Sequence, residues 1–399
     1  MRSPSIAPAP APDPRDEMSR RACLRRVGVG AATALVVADG LLAYRAYDPG
    51  VLAEGTGPAF EAWRTWRDGD GPEALVGAAI LAASAHNTQP WAFAVGADRI
   101  DLYADLSRST GANDALDREL YVSLGCALEN LLTAAPARGL VPTVELLPGE
   151  PDLVAGISLR EGPRSDSARH RAIGERHSNR APFEAEPLPP DLLAAMGEVV
   201  DATVAPARLV WLTEDAARRR YGDLLVESAE AHVADDEQSR ASFAWWRSDW
   251  NLIQERKDGL TIDGVGLSPL VRTTGKLLPA PSRADADATF LERTRLQADS
   301  AAAFGVVVVD DPRDRTEQVV GGQLLERLHL WAAANGLGFQ PMNQITEQID
   351  RDHQQGRPSR FEQPLADLVG PGALVAFRVG RPTQDGAPSP RRPVAEVLR

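Results

Sequence analysis

Hydrophobic and polar positions follow a helical period over two long stretches of this chain, and the two stretches are alike. Residues 114–140, "DALDRELYVSLGCALENLLTAAPARGL", align without a gap on residues 311–337, "DPRDRTEQVVGGQLLERLHLWAAANGL". Both carry D-x2-D-R-x6-G-x2-L-E-x-L-x3-A-x3-G-L. Leu128, Leu131 and Ala135, like Leu325, Leu328 and Ala332, fall at i, i+3 and i+7, one stripe of a buried helix. Gly139 and Gly336 follow as helix stops, and Asp and Arg precede each start. Two amphipathic helices share a stripe by chance. A shared Gly, Leu-Glu and terminal Gly-Leu at identical offsets points instead to duplication.

Short apolar runs of strand character flank these helices. They are "RIDLYAD" and "TVELLP" in one half, and "ARLVWLTED", "AFGVVVVDD" and "ALVAFRVG" in the other. Helices mixed with short strands predict an α+β fold in two tandem halves, 55–155 and 165–399, joined by the polar "LREGPRSDSARH". The second half is longer by an insert over 242–281, with Trp245, Trp246 and Trp250 early and a Gly/Pro-rich end. That segment reads either as a lid over a pocket or as a peripheral helical insert.

Composition narrows the partners. Among 399 residues the formal net charge is −13, which argues against nucleic acid or an anionic membrane surface. No CxxC, HExxH or Cys/His cluster of metal-ligand spacing occurs, so no metal site is expected. The two cysteines form no disulfide framework, and Cys126, inside an apolar helical run, reads as a buried inert thiol. The N-terminus differs in texture. Residues 1–17 are a Pro/Ala-rich tail. Residues 18–50 place Arg20 and Arg21 before an apolar run from Val27 to about Ala43, a twin-arginine-type pattern. This predicts an export signal or an uncleaved membrane anchor, with Met18 as an alternative start. Asp39 inside the run favours instead an amphipathic helix packed on a cytoplasmic protein.

Two polar clusters carry candidate chemistry. The first, "SAHNTQPW" (84–91), breaks an apolar run with Ser84, His86, Asn87 and Gln89, and Pro90 biases Gln89 away from helical angles. Alone, Asn87 and Gln89 read as caps for helix-end carbonyls, and His86 as a turn histidine with its bonds satisfied. The second, "RHSNRAPF" (176–183), sets Arg176 and Arg180 around Ser178, two planar donor forks and a hydroxyl suited to a phosphate. Alone, such a cluster is more often a solvated charged loop.

Together and in this order these motifs resemble the nitroreductase-like FMN-binding family, and most closely its tandem, Acg-like branch. "SAHNTQPW", "DRELYVSLGCALENL", "RHSNRAPF", "GLGFQPMNQ" and "SPRRPVAEVL" carry the resemblance, which spans about Gly57 to Arg399. The resemblance implies a nitroreductase-like fold whose halves form an intramolecular pseudo-dimer, so that the protein works as a monomer. It implies FMN held between the halves. Arg176, His177, Ser178, Arg180, Arg391 and Arg392 would hold its phosphate end. Ser84, His86, Asn87 and Gln89 would meet the ring edge and ribityl chain. Pro341, Met342, Asn343 and Gln344 would lie beside flavin N5, where the family usually has small glycines. With no R-x-S-x-R before the first half's helix and no S-x-x-N-x-Q-P in the second, one FMN per chain is expected.

The activity so implied is NAD(P)H-dependent ping-pong hydride transfer to a nitroaromatic, quinone or similar small acceptor. The flavin carries the chemistry, so no protein acid–base pair is required. Two other readings stand beside it: a non-catalytic FMN-sequestering protein with a closed flavin site, and a flavin dehydrogenase for one biosynthetic intermediate.

Overall fold

The computed structural model describes residues 54–200 and 207–399. The expectations for the tail and the twin-arginine-type segment lie outside the described residues. Among those residues, no helix is long and apolar enough to cross a membrane, and no group of three or more His, Cys, Asp or Glu is placed to hold a metal ion.

The first half runs α1 (Glu73–Ala79), β1 (Trp91–Val95), β2 (Arg99–Ala104), α2 (Arg118–Ala134), β3 (Leu140–Leu146) and β4 (Leu153–Glu161). Its strands form an antiparallel sheet in the order β1-β2-β4-β3. In β2, Ile100, Leu102 and Ala104 are buried at every second position, which is why its alternating pattern was legible as a strand.

The second half runs β5 (Arg208–Leu212), α3 (Asp215–Ala234), α4 (Asp236–Phe243), a two-residue parallel pair β6 (Trp246–Arg247) and β7 (Leu260–Thr261), then α5 (Pro269–Leu277) and α6 (Arg283–Asp299). It ends with β8 (Ala303–Val308), α7 (Arg315–Ala334), β9 (Gly338–Pro341), α8 (Gln344–Gln354) and β10 (Ala373–Gly380). Here the antiparallel order is β5-β8-β10-β9. Strand for strand this repeats the first sheet, with α7 entering where α2 does. The halves differ in one connection. Gly96, Ala97 and Asp98 join β1 to β2, whereas α3 to α6 separate β5 from β8. The apolar run of β8 is buried throughout. Ala303 and Val307 enter one core, and Phe304, Val306 and Val308 the other, on the sheet's opposite face.

The repeated helices α2 and α7 pack on each other through their matching glycines. A Cβ on Gly125 would overlap the carbonyl of Val319, and one on Gly322 would overlap the carbonyl of Val122. Val122 and Val319 occupy the same place in the repeat, so the contact is reciprocal, as in a two-fold pair. Cys126, buried on this seam, donates to the Gly322 carbonyl at 3.3 Å. Gly139 and Gly336 end the helical stretches at φ 75° and 69°, left-handed angles that glycine takes without strain.

Each half also sends an arm to the other. After β4, Asn179 N–H donates to the Phe339 carbonyl and Phe183 bridges Pro382. After β10, Val397 accepts from Phe93 N–H at 2.8 Å and Arg399 donates back at 2.9 Å. The α+β expectation holds, with the two halves intertwined.

Candidate functional site

The site grows from the turn after α1. That helix stops at Ala79, several residues before the polar cluster, and Ser84 is extended. His86, Asn87 and Gln89 then take φ of 47°, 55° and 53°. Three non-glycine residues in left-handed geometry within four positions need support from outside the turn. Asn87 Nδ2 donates to the carbonyls of Gly259 (3.2 Å) and Pro390 (2.9 Å). Gln89 Nε2 donates to Lys257 (2.8 Å), and Gln89 Oε1 accepts from Arg392 N–H at 2.8 Å. Gln89 N–H donates to Ser84 Oγ. The two amides therefore tie the turn to the 242–281 segment and to the C-terminal arm.

Behind the turn lies a buried ionic brace. Arg176 sits 2.9 Å from Glu326 and donates to the Leu81 carbonyl (2.7 Å) and to His329 Nδ1 (3.2 Å). Arg391 donates to Leu81 and Ala82 (3.2 Å each) and to Asn87 Oδ1, and lies over the Trp63 ring. Burial raises the Glu326 carboxyl above its ordinary range and pushes the Arg391 guanidinium well down. His177 is held edge-on to Trp63, and burial, with Arg176 and Arg391 nearby, lowers it to about 3.

In front of the turn, both halves enclose a cavity of about 430 Å³, the size of a small-ligand site. Ser84 and His86 line it from the first half, Ser178 and Arg180 from the arm that follows β4, and Pro341, Asn343 and Gln344 from the second half. The 242–281 segment also lines it, contributing Trp246, Ser248, Leu260, Ile262, Leu278 and Pro281 among others. His86 Nε2 meets Ser242 Oγ at 2.9 Å, linking the turn to that segment; burial, then His232 and Arg180, lower His86 to about 3.

Of the fourteen residues expected at a flavin, those seven line the cavity and seven do not. Asn87, Gln89 and Arg392 brace the turn. Arg176 and Arg391 are occupied by Glu326 and backbone carbonyls, so their forks are not turned to a ligand. His177 packs on Trp63, and Met342 is in the second core with its N–H on Ala376. In this structure Arg176, Arg391 and Arg392 lie against Glu326 and backbone carbonyls and do not line the cavity. The sequence did not disclose the buried carboxylate facing Arg176.

The cavity wall holds groups that the motifs did not single out. Arg293 of α6 donates to the carbonyls of Arg180 (2.9 Å) and Gly266 (2.8 Å), and its Nε has no partner. Arg180 donates to Gly264 at 3.0 Å. Behind them Arg378 is fully buried, its charge spread over Gln340 and four backbone or hydroxyl oxygens. Among the described residues no carboxylate stands within ion-pairing distance of these three arginines. Burial lowers all three, Arg180 to about 10 and Arg378 to about 9. Asn113, His232 Nδ1, Trp246 Nε1 and Gln344 Oε1 are also buried in the cavity wall without a partner. Unpaired buried polar atoms and uncompensated charge are costly, and their concentration on one cavity suits a polar, anionic guest.

No known family profile matches the chain. Whole proteins do. The "Putative NAD(P)H nitroreductase Rv3131" of Mycobacterium tuberculosis is 24% identical over 357 residues, covering 86% of this chain and 95% of that protein. The nitroreductase named acg from the same organism is 25% identical over 339 residues, 80% of this chain and 92% of its own. The resemblance drawn from the motifs extends along most of the chain. Among solved structures, the FMN-dependent nitroreductase NfnB of Mycobacterium smegmatis, in complex with NADPH, aligns at 15% identity and a TM-score of 0.33. It covers 58% of this chain and 97% of its own.

Sequence reasoning passed over Arg293, Asn113, Glu119 and Glu347 as site residues. Glu119 lies inside a quoted motif, yet an acid in a helix's first turn ordinarily signals only dipole compensation. Arg293 lies on α6 among charged residues and follows no pattern that separates it from a surface arginine.

Proposed function

We propose that this protein is an FMN-dependent oxidoreductase of the nitroreductase type, with NAD(P)H as reductant and a quinone, nitroaromatic or similar small molecule as acceptor. The observation that carries this reading is the cavity between the two halves, which Arg180 and Arg293 line with no carboxylate partner. The residues present suit FMN there. Ser178, Arg180 and Arg293 would hold its phosphate with a hydroxyl and two planar forks. Ser84, Asn343 and Gln344 offer donors and acceptors to its ring and ribityl groups. When bound, the flavin supplies hydride transfer. The chain's part is to orient it, to exclude water with the 242–281 segment, and to supply charge. The names of the mycobacterial relatives support the same activity, and one cavity of this make predicts one FMN per chain.

The 242–281 segment also favours a second reading, flavin sequestration without turnover, because it lines the cavity with apolar side chains such as Leu260, Ile262 and Leu278. Purified protein should be yellow, with flavin and chain in equal amounts, and anaerobic NADH or NADPH should bleach it. Bound FMN that neither nucleotide reduces would select sequestration, and a protein that neither holds FMN nor is stabilised by it would overturn both readings.

A further inference from the structure

One wall of the cavity holds acids rather than bases. Glu119, in the first turn of α2, and Glu347, on α8, both line it, and their carboxyl groups are hydrogen-bonded to each other. Two carboxyls that share a hydrogen bond must keep a proton between them, because two bare carboxylates have none to share. The surroundings reinforce this. Asp114 stands behind the pair, accepting from Glu119 N–H (3.1 Å) and Leu120 N–H (2.8 Å), with Asp117 nearby. Asp350 is the third acid facing them, and it holds the Arg118 guanidinium at 2.7 and 2.5 Å. Arg118 is thus already matched. Burial, together with the neighbouring acids, raises both glutamates and takes Asp114 to about 8.

A second observation points from this wall to a ligand. Asn113 is fully buried, lines the cavity, and leaves both its amide nitrogen and its amide oxygen unpartnered. Gln344 leaves its amide oxygen unpartnered beside the same acids. A shared carboxyl proton beside a free amide donor suits an acceptor oxygen that becomes basic as electrons arrive.

We propose that the Glu119–Glu347 pair is the proton donor of this cavity, and that its acceptor is a quinone-type carbonyl compound held by the pair and by Asn113. This rests on the oxidoreductase reading above. With a bound flavin as the hydride source, one quinone oxygen would gain the hydride and the ring electrons would move onto the other oxygen, which would take the proton of the pair. The quinone is reduced to the hydroquinone, the flavin is oxidised, and water returns a proton to the carboxyls. The flavin supplies the electrons, and these residues supply the proton.

The test has a spectroscopic arm and a kinetic arm, both on the full chain. Infrared difference spectra of protein at neutral pH should show a protonated carboxyl band that Glu347→Gln removes, and Glu119→Gln serves if the first variant does not fold. In stopped flow, reoxidation of the prereduced protein by menadione should slow about 10²-fold in either variant, with flavin content retained. In the unsubstituted protein, reoxidation should fall as pH rises and the pair loses its proton; in the variants it should be flat. A missing band, or reoxidation at an unchanged rate, overturns the donor role while leaving the flavin reading intact. A colourless protein that FMN does not stabilise overturns the flavin reading, and this one with it.

Discussion

The brace behind the turn and the cavity in front of it are built from the same kinds of side chain, yet they behave oppositely. In the brace, Arg176 and Arg391 are matched by Glu326, by the carbonyls of Leu81 and Ala82, and by Asn87. Across the turn, Arg180 and Arg293 find only carbonyls, and Asn113 finds nothing. The difference teaches how to read a buried charge. A matched one ties the fold together, whereas an unmatched one marks where a guest completes the structure. Position in a motif does not separate the two cases: Arg176 and Arg180 lie four residues apart in one quoted run.

The largest effect that would break this contrast is expected at Arg176. Arg176→Ala leaves Glu326 buried without its partner and should cost about 3–5 kcal/mol of stability, read by urea denaturation. Replacing both, Arg176→Met with Glu326→Leu, should recover most of that loss. A single variant within about 1 kcal/mol of the parent would show that the brace is not structural.

Arg293→Ala is expected to do the reverse. Unfolding should shift by no more than about 1 kcal/mol, since an uncompensated cation is removed. Retention of FMN should weaken by about 1.5–3 kcal/mol, the worth of a charged hydrogen bond, read by flavin titration. Equal losses in both measurements would place Arg293 with the brace.

The smallest effect is a slope. His177 is held neutral, near 3 in the folded protein against 6.5 unfolded. Its contribution is complete above pH 6.5 and is lost as pH falls from there towards 3, at up to about 1.4 kcal/mol per unit. His86 and His232, lowered to about 3 and 4, act in the same sense. His177→Gln should therefore reduce, without abolishing, the loss of stability between pH 6 and 4 in a series of urea midpoints. An unchanged slope would mean that His177 gains a proton without cost.

Much of the architecture was legible in the chain because it rests on local periods. The stripe of α2 and α7, the alternation of β2 and the glycine stops announce themselves within a few residues. β1, β4 and β9 did not. β9 is only four residues long, and β4 is buried at each position from Leu153 to Ile157, so it shows no alternation to read. The site was legible as motifs and only half legible as geometry. "SAHNTQPW" marks a turn under strain, yet which of its side chains meet the cavity depends on Gly259, Lys257 and Pro390, far along the chain. The Glu119–Glu347 contact joins residues more than two hundred positions apart, and no spacing announces that.

The arm that returns after β10 has a consequence for how the molecule is made. The turn at 84–91 is pinned by residues 390–392, and the first strand of its sheet is bridged by residues 397–399. On the ribosome, the first half emerges long before those residues exist. Its three left-handed side chains must wait, unsupported, through the synthesis of the whole second half. The wall that this turn gives the cavity therefore takes its final shape only after the second half has been made.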